Sequence, residues 1–296
     1  MLRGCRAFSD SVSASRGAGR SRSAAVIVVA AALASALVPS LARAADAVAA
    51  CTKPVYLTID TGHMGVAPLV ADVLNRQHVK ATFFLANEKT KTDGSSLDDE
   101  WAPWWKARAA EGHVVGSHTF DHVYWQADAP GGFKVRPSAG PDAGKSRSMT
   151  SAQYCEELAR PATRWRELTG QTMPKLFRAP GGKTSPALLA AAEACGWQHV
   201  PWSPAGFLGD ELPSDKYPNA TLLAKALRDI RSGDILLMHL GIWSRKDPWA
   251  PADLEPLIAG LKERGFCFQT LGEHPLYRRA VVGTVSGVAG NAPVKP

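Results

Sequence analysis

Residues 55–63 read Val55-Tyr56-Leu57-Thr58-Ile59-Asp60-Thr61-Gly62-His63. The first five are apolar, aromatic or β-branched, which favours a buried β-strand, and the run ends abruptly on a carboxylate. Leu69, Val70, Val73 and Leu74 then recur at helical spacing. Strand, short polar turn and helix make the first half of a βαβ unit.

The same rhythm continues downstream. Ala81–Leu85 reads as a second strand, with a helix around Trp101 to Glu111. Val114-Val115 sits in a third strand and Leu176-Phe177 in a fourth. Ser185 caps a helix carrying Pro186, Leu188, Leu189 and Ala192, which stops at Gly196. Another helix runs from Asn219 through Leu222, Leu223, Leu227 and Ile230 to Gly233, and Ile235–Met238 is a further buried strand. Leu254, Leu257, Ile258 and Leu261 predict a last helix ending at Gly265, and Phe266 to Thr270 a closing strand. Alternation of this kind implies parallel strands with helical crossovers. About seven or eight strands predict a single α/β domain, closed as a TIM-like barrel. A doubly wound open sheet is the alternative, and no GxGxxG follows any strand to favour it. Residues 126–148, rich in Gly, Pro and Ala, read as a surface-loop insertion, and residues 275–296 as a disordered tail.

Charge first suggests nucleic acid, since 34 Lys and Arg oppose 27 Asp and Glu. Six arginines and only one acid lie in residues 1–44, however, so the remainder is close to neutral. That segment has a basic start, an apolar run from Ala24 to Val38 and the small-residue sequence Ala42-Arg43-Ala44. These are the parts of a secretory signal peptide, and they predict export to the periplasm or beyond, with no stable membrane insertion afterwards. A retained anchor is the alternative. Residues 45–53 then form a short lead. Cys51, Cys155, Cys195 and Cys267 remain, with no CxxC pair. Cys51 precedes the first strand and Cys267 lies in the last, which a closed barrel makes neighbours, so a Cys51–Cys267 disulfide is expected; buried free thiols are the alternative.

Polar residues recur where strands end, and in a parallel barrel those ends share one rim. Asp60 follows the first strand as a metal ligand, a general base or a helix cap. Gly116-Ser117-His118-Thr119-Phe120-Asp121-His122 follows the third. Two histidines four apart face the same way on a helical turn, which suits one metal ion. Arg178-Ala179-Pro180-Gly181-Gly182 follows the fourth strand and His239 the strand 235–238. Together they form a hydrolytic set of imidazoles, carboxylate, guanidinium and a separate histidine. Trp101, Trp104 and Trp105 fit a helix core better than a sugar platform.

These motifs, with Thr58-Ile59-Asp60-Thr61-Gly62 and Leu236-Leu237-Met238-His239, resemble the polysaccharide deacetylase family, the NodB-homology group or carbohydrate esterase family 4, over roughly residues 54–274. The resemblance implies a distorted (β/α)7 barrel, a divalent metal ion, usually zinc, and removal of N-acetyl groups from an amino-sugar polymer such as peptidoglycan, chitin or poly-N-acetylglucosamine. It implies that His118 and His122 bind the metal, Asp60 is the general base, Arg178 orients Asp60, His239 is the general acid and the Gly181 N–H binds an oxyanion. It also implies a pocket wall at Trp202, while Trp243, following His239, suggests sugar stacking. Two positions depart from the family pattern. Thr61 stands where a second aspartate serves as metal ligand, so Asp60 is expected near the metal as ligand and base, with Thr61, water or His63 as alternative ligands. The stretch Trp202–Phe207 has no aspartate to tune His239, the next being Asp210. A catalytically weakened glycan-binding barrel and a polysaccharide O-acetyl esterase are the rival functions.

Overall fold

The computed structural model describes residues 51–250 and 252–285; the expected signal peptide at 1–44 lies outside the described residues. Seven parallel strands build the main sheet: β1 (Pro54–Asp60), β2 (Thr82–Leu85), β3 (Val114–Ser117), then, beyond three antiparallel strands described below, β7 (Leu176–Phe177), β8 (Gln198–His199), β9 (Ile235–His239) and β10 (Cys267–Gln269). Their order is β10-β1-β2-β3-β7-β8, with β9 also paired to β1. β1 is the central strand, buried along its length after Pro54. Beyond β8 the chain returns along β9 without regular strand geometry: Ser203 N–H donates to Ile235 O (3.0 Å) and Phe207 bridges Leu237. The result is a curled, parallel half-barrel with helical crossovers, the class the sequence predicts.

The crossover helices are α1 (Ala67–Arg76), α2 (Ala102–Ala110), α3 (Ser151–Thr169), α4 (Pro186–Ala194), α5 (Asn219–Asp229) and α6 (Leu254–Glu263). α1 buries Val70, Val73 and Leu74 but leaves Leu69 exposed. Trp105 on α2 is fully buried, edge-on to Phe83 and Trp165. Among the described residues no helix is long and apolar enough to cross a membrane.

Two expectations need correction, and one helix has no expectation behind it. The 126–148 segment is not a featureless loop: β4 (Val123–Ala129), β5 (Gly132–Pro137) and β6 (Arg147–Thr150) form a separate antiparallel sheet. β5 alternates buried Phe133, Val135 and Pro137 with exposed Lys134 and Arg136, the pattern of a one-sided sheet. The expected tail holds a helix, α7 (Arg278–Val285), in which Ala280 and Val281 pack against Tyr56, Leu176 and Leu271; residues 286–296 lie outside the described residues. α3, the longest helix, carries Pro161 in its interior and has no counterpart in the sequence reading. Its start is specified by a capping box between Thr150 and Gln153, and its end by left-handed Gly170.

Cys51 and Cys267 form a disulfide where β1 and β10 pair, with Pro54 opposite Cys267. A second disulfide, Cys155–Cys195, ties α3 to the end of α4. It closes a 40-residue separation, and restricting the unfolded chain over that length stabilises the fold by about 3–4 kcal/mol. Cys155→Ser is therefore expected to lower the thermal transition, and the transition of the wild type to fall on reduction; calorimetry with and without reductant checks both.

Candidate active site

Because β1, β3, β7 and β9 run parallel, the residues at their carboxyl ends share one edge of the sheet. Asp60 ends β1, His118 follows β3, Arg178 follows β7 and His239 ends β9. A cavity of about 320 Å³ opens there, and Asp60, His118, His122, Gly181, Trp202, His239 and Trp243 all line it. Arg178 lies beneath, completely buried. A larger cavity of about 450 Å³, beside the Cys155–Cys195 disulfide, contains none of these groups.

Asp60 is 2% exposed. Its Oδ1 accepts from Arg178 Nη1 at 2.8 Å, and its Oδ2 lies 3.3 Å from His118 Nε2. Burial opposes the charge on this carboxylate, but Arg178, His118 and His239 outweigh it and hold Asp60 below the usual aspartate range. Arg178 is oriented in turn by the Val200 carbonyl, which accepts from its Nε (3.3 Å), and by the Phe84 ring, 4.4 Å from Cζ.

The two histidines converge by a route different from the one expected. Residues 118–122 form a turn and not a helix, with Thr119 (φ 57°) and His122 (φ 48°) both left-handed. Such conformations cost on the order of 1 kcal/mol or more in non-glycine residues and need support from their surroundings. α3 supplies it: Phe120 N–H donates to Glu157 O (3.0 Å), Asp121 N–H to the Glu157 carboxylate (2.9 Å), and Arg160 pairs with Asp121 (3.0 Å). The rings end 4.8 Å apart between centroids. His118 Nδ1 donates to Arg178 O (2.8 Å), and His122 Nδ1 is tied to Ser138 Oγ (2.5 Å), at the end of the antiparallel sheet. His118 Nδ1 faces a carbonyl and so must donate, which puts the lone pair of its neutral ring on Nε2; His122 takes the same tautomer when the Ser138 hydroxyl donates to His122 O (3.4 Å). Burial lowers His122 to about 4, so it is neutral at physiological pH.

His239 has the opposite character. Asp210 accepts from its backbone N–H (2.7 Å) and from Nδ1 (3.1 Å), while Nε2 faces Glu211 at 3.7 Å. Burial disfavours the imidazolium, but Asp210, Asp60 and Glu211 outweigh burial and raise His239 to about 9. Asp210 is thus the partner missing from Trp202–Phe207. Folding brings it to β9 through Gly209, whose φ of +77° turns the chain.

Gly181 is left-handed (φ 61°), and a Cβ there would lie 2.9 Å from Tyr124. Trp202 is half-buried against Arg178 and Gly182, whereas Trp243 is 62% exposed at the rim. His63 belongs to a neighbouring cavity: its Nδ1 accepts from Gly65 N–H (3.0 Å) and its ring meets Trp243 edge-on. Thr61 is buried, its hydroxyl donating to Glu88 Oε2 (2.6 Å) and accepting from Ala86 N–H (3.1 Å). Neither residue is presented as a ligand beside His118 and His122. Sequence reading missed Glu88, Glu211, Tyr124 and Ser138, all of which line the cavity.

A divalent metal ion suits the donors present. Two imidazoles with Nδ1 tied off and Nε2 free are the usual ligand state of histidine. His118 Nε2 also lies 3.3 Å from Asp60 Oδ2, so a cation held by the ring sits beside that carboxylate. Among the described residues no group of three or more His, Cys, Asp or Glu side chains stands arranged to hold a metal ion without a side-chain shift.

The chain is 27% identical over 229 residues to the chitooligosaccharide deacetylase of Azorhizobium caulinodans, covering 73% of this chain and 92% of that protein. It is 27% identical over 222 residues to the peptidoglycan-N-acetylmuramic acid deacetylase PdaA of Bacillus subtilis, covering 75% and 71%. Among solved structures, a family 4 acetyl xylan esterase from Clostridium thermocellum, in complex with a cobalt ion, superposes with a TM-score of 0.57 at 25% identity, covering 75% of this chain and 89% of that one. The polysaccharide deacetylase family model matches residues 47–200, more than half of the chain. On that match the chain belongs to the polysaccharide deacetylase family.

Proposed function

We propose that the protein is an exported, metal-dependent hydrolase that removes N-acetyl groups from an amino-sugar polysaccharide of the peptidoglycan, chitin or poly-N-acetylglucosamine class. One observation carries this reading: Asp60 and His239 line the same cavity while their surroundings push their titrations in opposite directions. An ionised carboxylate and a protonated imidazole in one site are a base and an acid ready at neutral pH.

Asp60 Oδ2 takes the proton of the attacking water, while Arg178 keeps the carboxylate charged and aimed through Oδ1. His239, with Nδ1 held by Asp210, presents Nε2 to the cavity and gives its own Nε2 proton to the departing amine nitrogen. Acetate and a free amine result. The bare backbone at Gly181 offers its N–H to the oxygen that becomes negatively charged. His118 and His122 would hold the metal ion, zinc being the natural choice for imidazole donors, and when bound it supplies Lewis-acid polarisation of the acetyl carbonyl. Trp243 is placed to stack on a sugar ring and Trp202 to wall the acetyl methyl. The two disulfides and the signal-like residues 1–44 support an oxidising, exported location.

Ester hydrolysis is the second reading, favoured by the likeness to an acetyl xylan esterase. An amine leaves only once protonated, whereas an alkoxide depends less on an acid, so a histidine held protonated supports the amide. Acetate release from chitin oligomers and peptidoglycan, compared with acetylated xylan, tests this: faster release from the ester sinks the N-deacetylase reading. Gly181→Ala places a side chain at a left-handed position against Tyr124. It is expected to destabilise by about 1 kcal/mol and to lower kcat roughly tenfold with KM little changed, if its N–H serves the transition state.

A further inference from the structure

We propose that Glu88 is the carboxylate ligand that completes the metal site with His118 and His122. The inference rests on the metal-dependent reading above and goes beyond it by assigning a third protein donor and freeing Asp60 from double duty.

Topology brings Glu88 to the site. β1 and β2 pair in parallel with Asp60 opposite Phe84, so the chain leaving β2 passes over the turn that leaves β1. Glu88 Oε2 accepts from the Thr61 hydroxyl and from Gly62 N–H, both at 2.6 Å. A carboxylate therefore occupies the space beside position 61, and Thr61 is the donor that holds it there. An aspartate at 61 would set two carboxylates against each other. Glu88 lines the cavity together with His118 and His122.

The group is positioned rather than loose. Glu88 N–H donates to Ser96 Oγ (3.0 Å), Ser96 N–H donates to Glu88 O (2.8 Å), and the Ser96 hydroxyl donates to Ala86 O (2.5 Å). Asn87 N–H donates to Phe120 O (2.7 Å), fastening this segment to the turn between the two histidines. Among the described residues nothing hydrogen-bonds Glu88 Oε1, so one oxygen is anchored and the other is open. This is how a ligating carboxylate is usually held, with its second oxygen oriented by neighbouring donors. Asp60, by contrast, has Oδ1 committed to Arg178. Two imidazoles and one carboxylate with open positions remaining form a catalytic zinc donor set.

The alternative is that Glu88 only pins the β1 turn through Thr61 and Gly62. Metal affinity separates the two roles without recourse to activity. Metal-free wild type, Glu88→Gln, Glu88→Asp, Thr61→Val and the double variant T61D/E88Q are titrated with Zn²⁺ against a chromophoric chelator, and with Co²⁺ followed by visible absorption. If Glu88 is a ligand, Glu88→Gln weakens Zn²⁺ binding by about 100-fold or more and alters the Co²⁺ spectrum. Thr61→Val, which removes one of the two donors to Oε2 and the acceptor of Ala86 N–H, weakens binding about tenfold, clearly less than Glu88→Gln, and T61D/E88Q recovers most of the loss by returning a carboxylate to the same space. Glu88→Asp draws the charge back by one methylene and covers the case in which Gln does not fold; it should weaken binding about tenfold. Affinity for Zn²⁺ within threefold of wild type in folded Glu88→Gln or Glu88→Asp overturns the assignment, as does equal loss in Thr61→Val, or a T61D/E88Q variant no tighter than Glu88→Gln. A folded wild type that binds neither ion overturns the metal reading itself, a distinct outcome.

Discussion

Asp60→Asn is expected to lower acetate release from N-acetylglucosamine oligomers by about 10³-fold, the usual worth of a positioned general base, and to destabilise the fold at the same time. Asparagine preserves the shape and can still accept from Arg178 Nη1, but it cannot take a proton or balance a charge. Arg178 is completely buried, and its Nη2 already lacks a hydrogen-bond partner among the described residues. Losing the carboxylate leaves a buried guanidinium uncompensated, a defect that typically costs about 3–5 kcal/mol. Because Asp60 is held below its unfolded value, the stability it contributes is present above about pH 4 and is lost as pH falls through its lowered folded value. The wild type should therefore lose stability on acidification more steeply than Asp60→Asn does. Comparing kcat/KM and the pH dependence of thermal unfolding for the two proteins checks the base role and the pairing separately.

His239→Ala should reduce amide hydrolysis by about 10²–10⁴-fold, and Asp210→Asn should move the alkaline limb of the pH–rate profile. His239 is raised to about 9 because the nearby carboxylates, Asp210 foremost, outweigh a burial that on its own would neutralise the ring. Removing the Asp210 charge takes away the largest influence that opposes burial, so the limb shifts downward, and activity near pH 8 falls while activity near pH 6 is largely kept. A merely structural Asp210 would lower the rate at every pH alike. The linked stability has the opposite sign to that of Asp60. A histidine raised above its unfolded value of about 6.5 stabilises the fold fully below that pH, and the contribution is lost as pH rises through about 9. Asp210→Asn should flatten that alkaline decline in thermal stability.

Most of this site is legible in the sequence for a topological reason. In a parallel sheet the carboxyl ends of all strands share one edge, so Asp60, His118, Arg178 and His239 can be assigned to one rim without knowing any distance. The spacing of His118 and His122 implies that the two rings meet, and they do, but by another geometry: the turn reaches its convergence through two left-handed residues braced by α3, not through a helical repeat. Glu88 was out of reach because Ala86-Asn87-Glu88-Lys89 looks like any polar strand exit. Only the β1–β2 register sets it against Thr61. Asp210 likewise reaches His239 from 29 positions upstream, with all of α5 between them. α3 was obscured by Pro161 and by its charged surface, although the Thr150–Gln153 box and Gly170 marked both ends. The antiparallel sheet was masked by its Gly- and Pro-rich composition, although the alternation in Phe133-Lys134-Val135-Arg136 records it; its placement matters because Ser138 orients His122.

Acetate released from N-acetylated chitin oligomers is the most direct readout of the central claim, followed on one preparation as isolated, after removal of metal with a chelator, and after addition of Zn²⁺. Steady release that falls by at least about 100-fold on chelation and returns with Zn²⁺ is the predicted result. Release that continues undiminished in the metal-free protein, or none at all from the fully reconstituted protein, would contradict it.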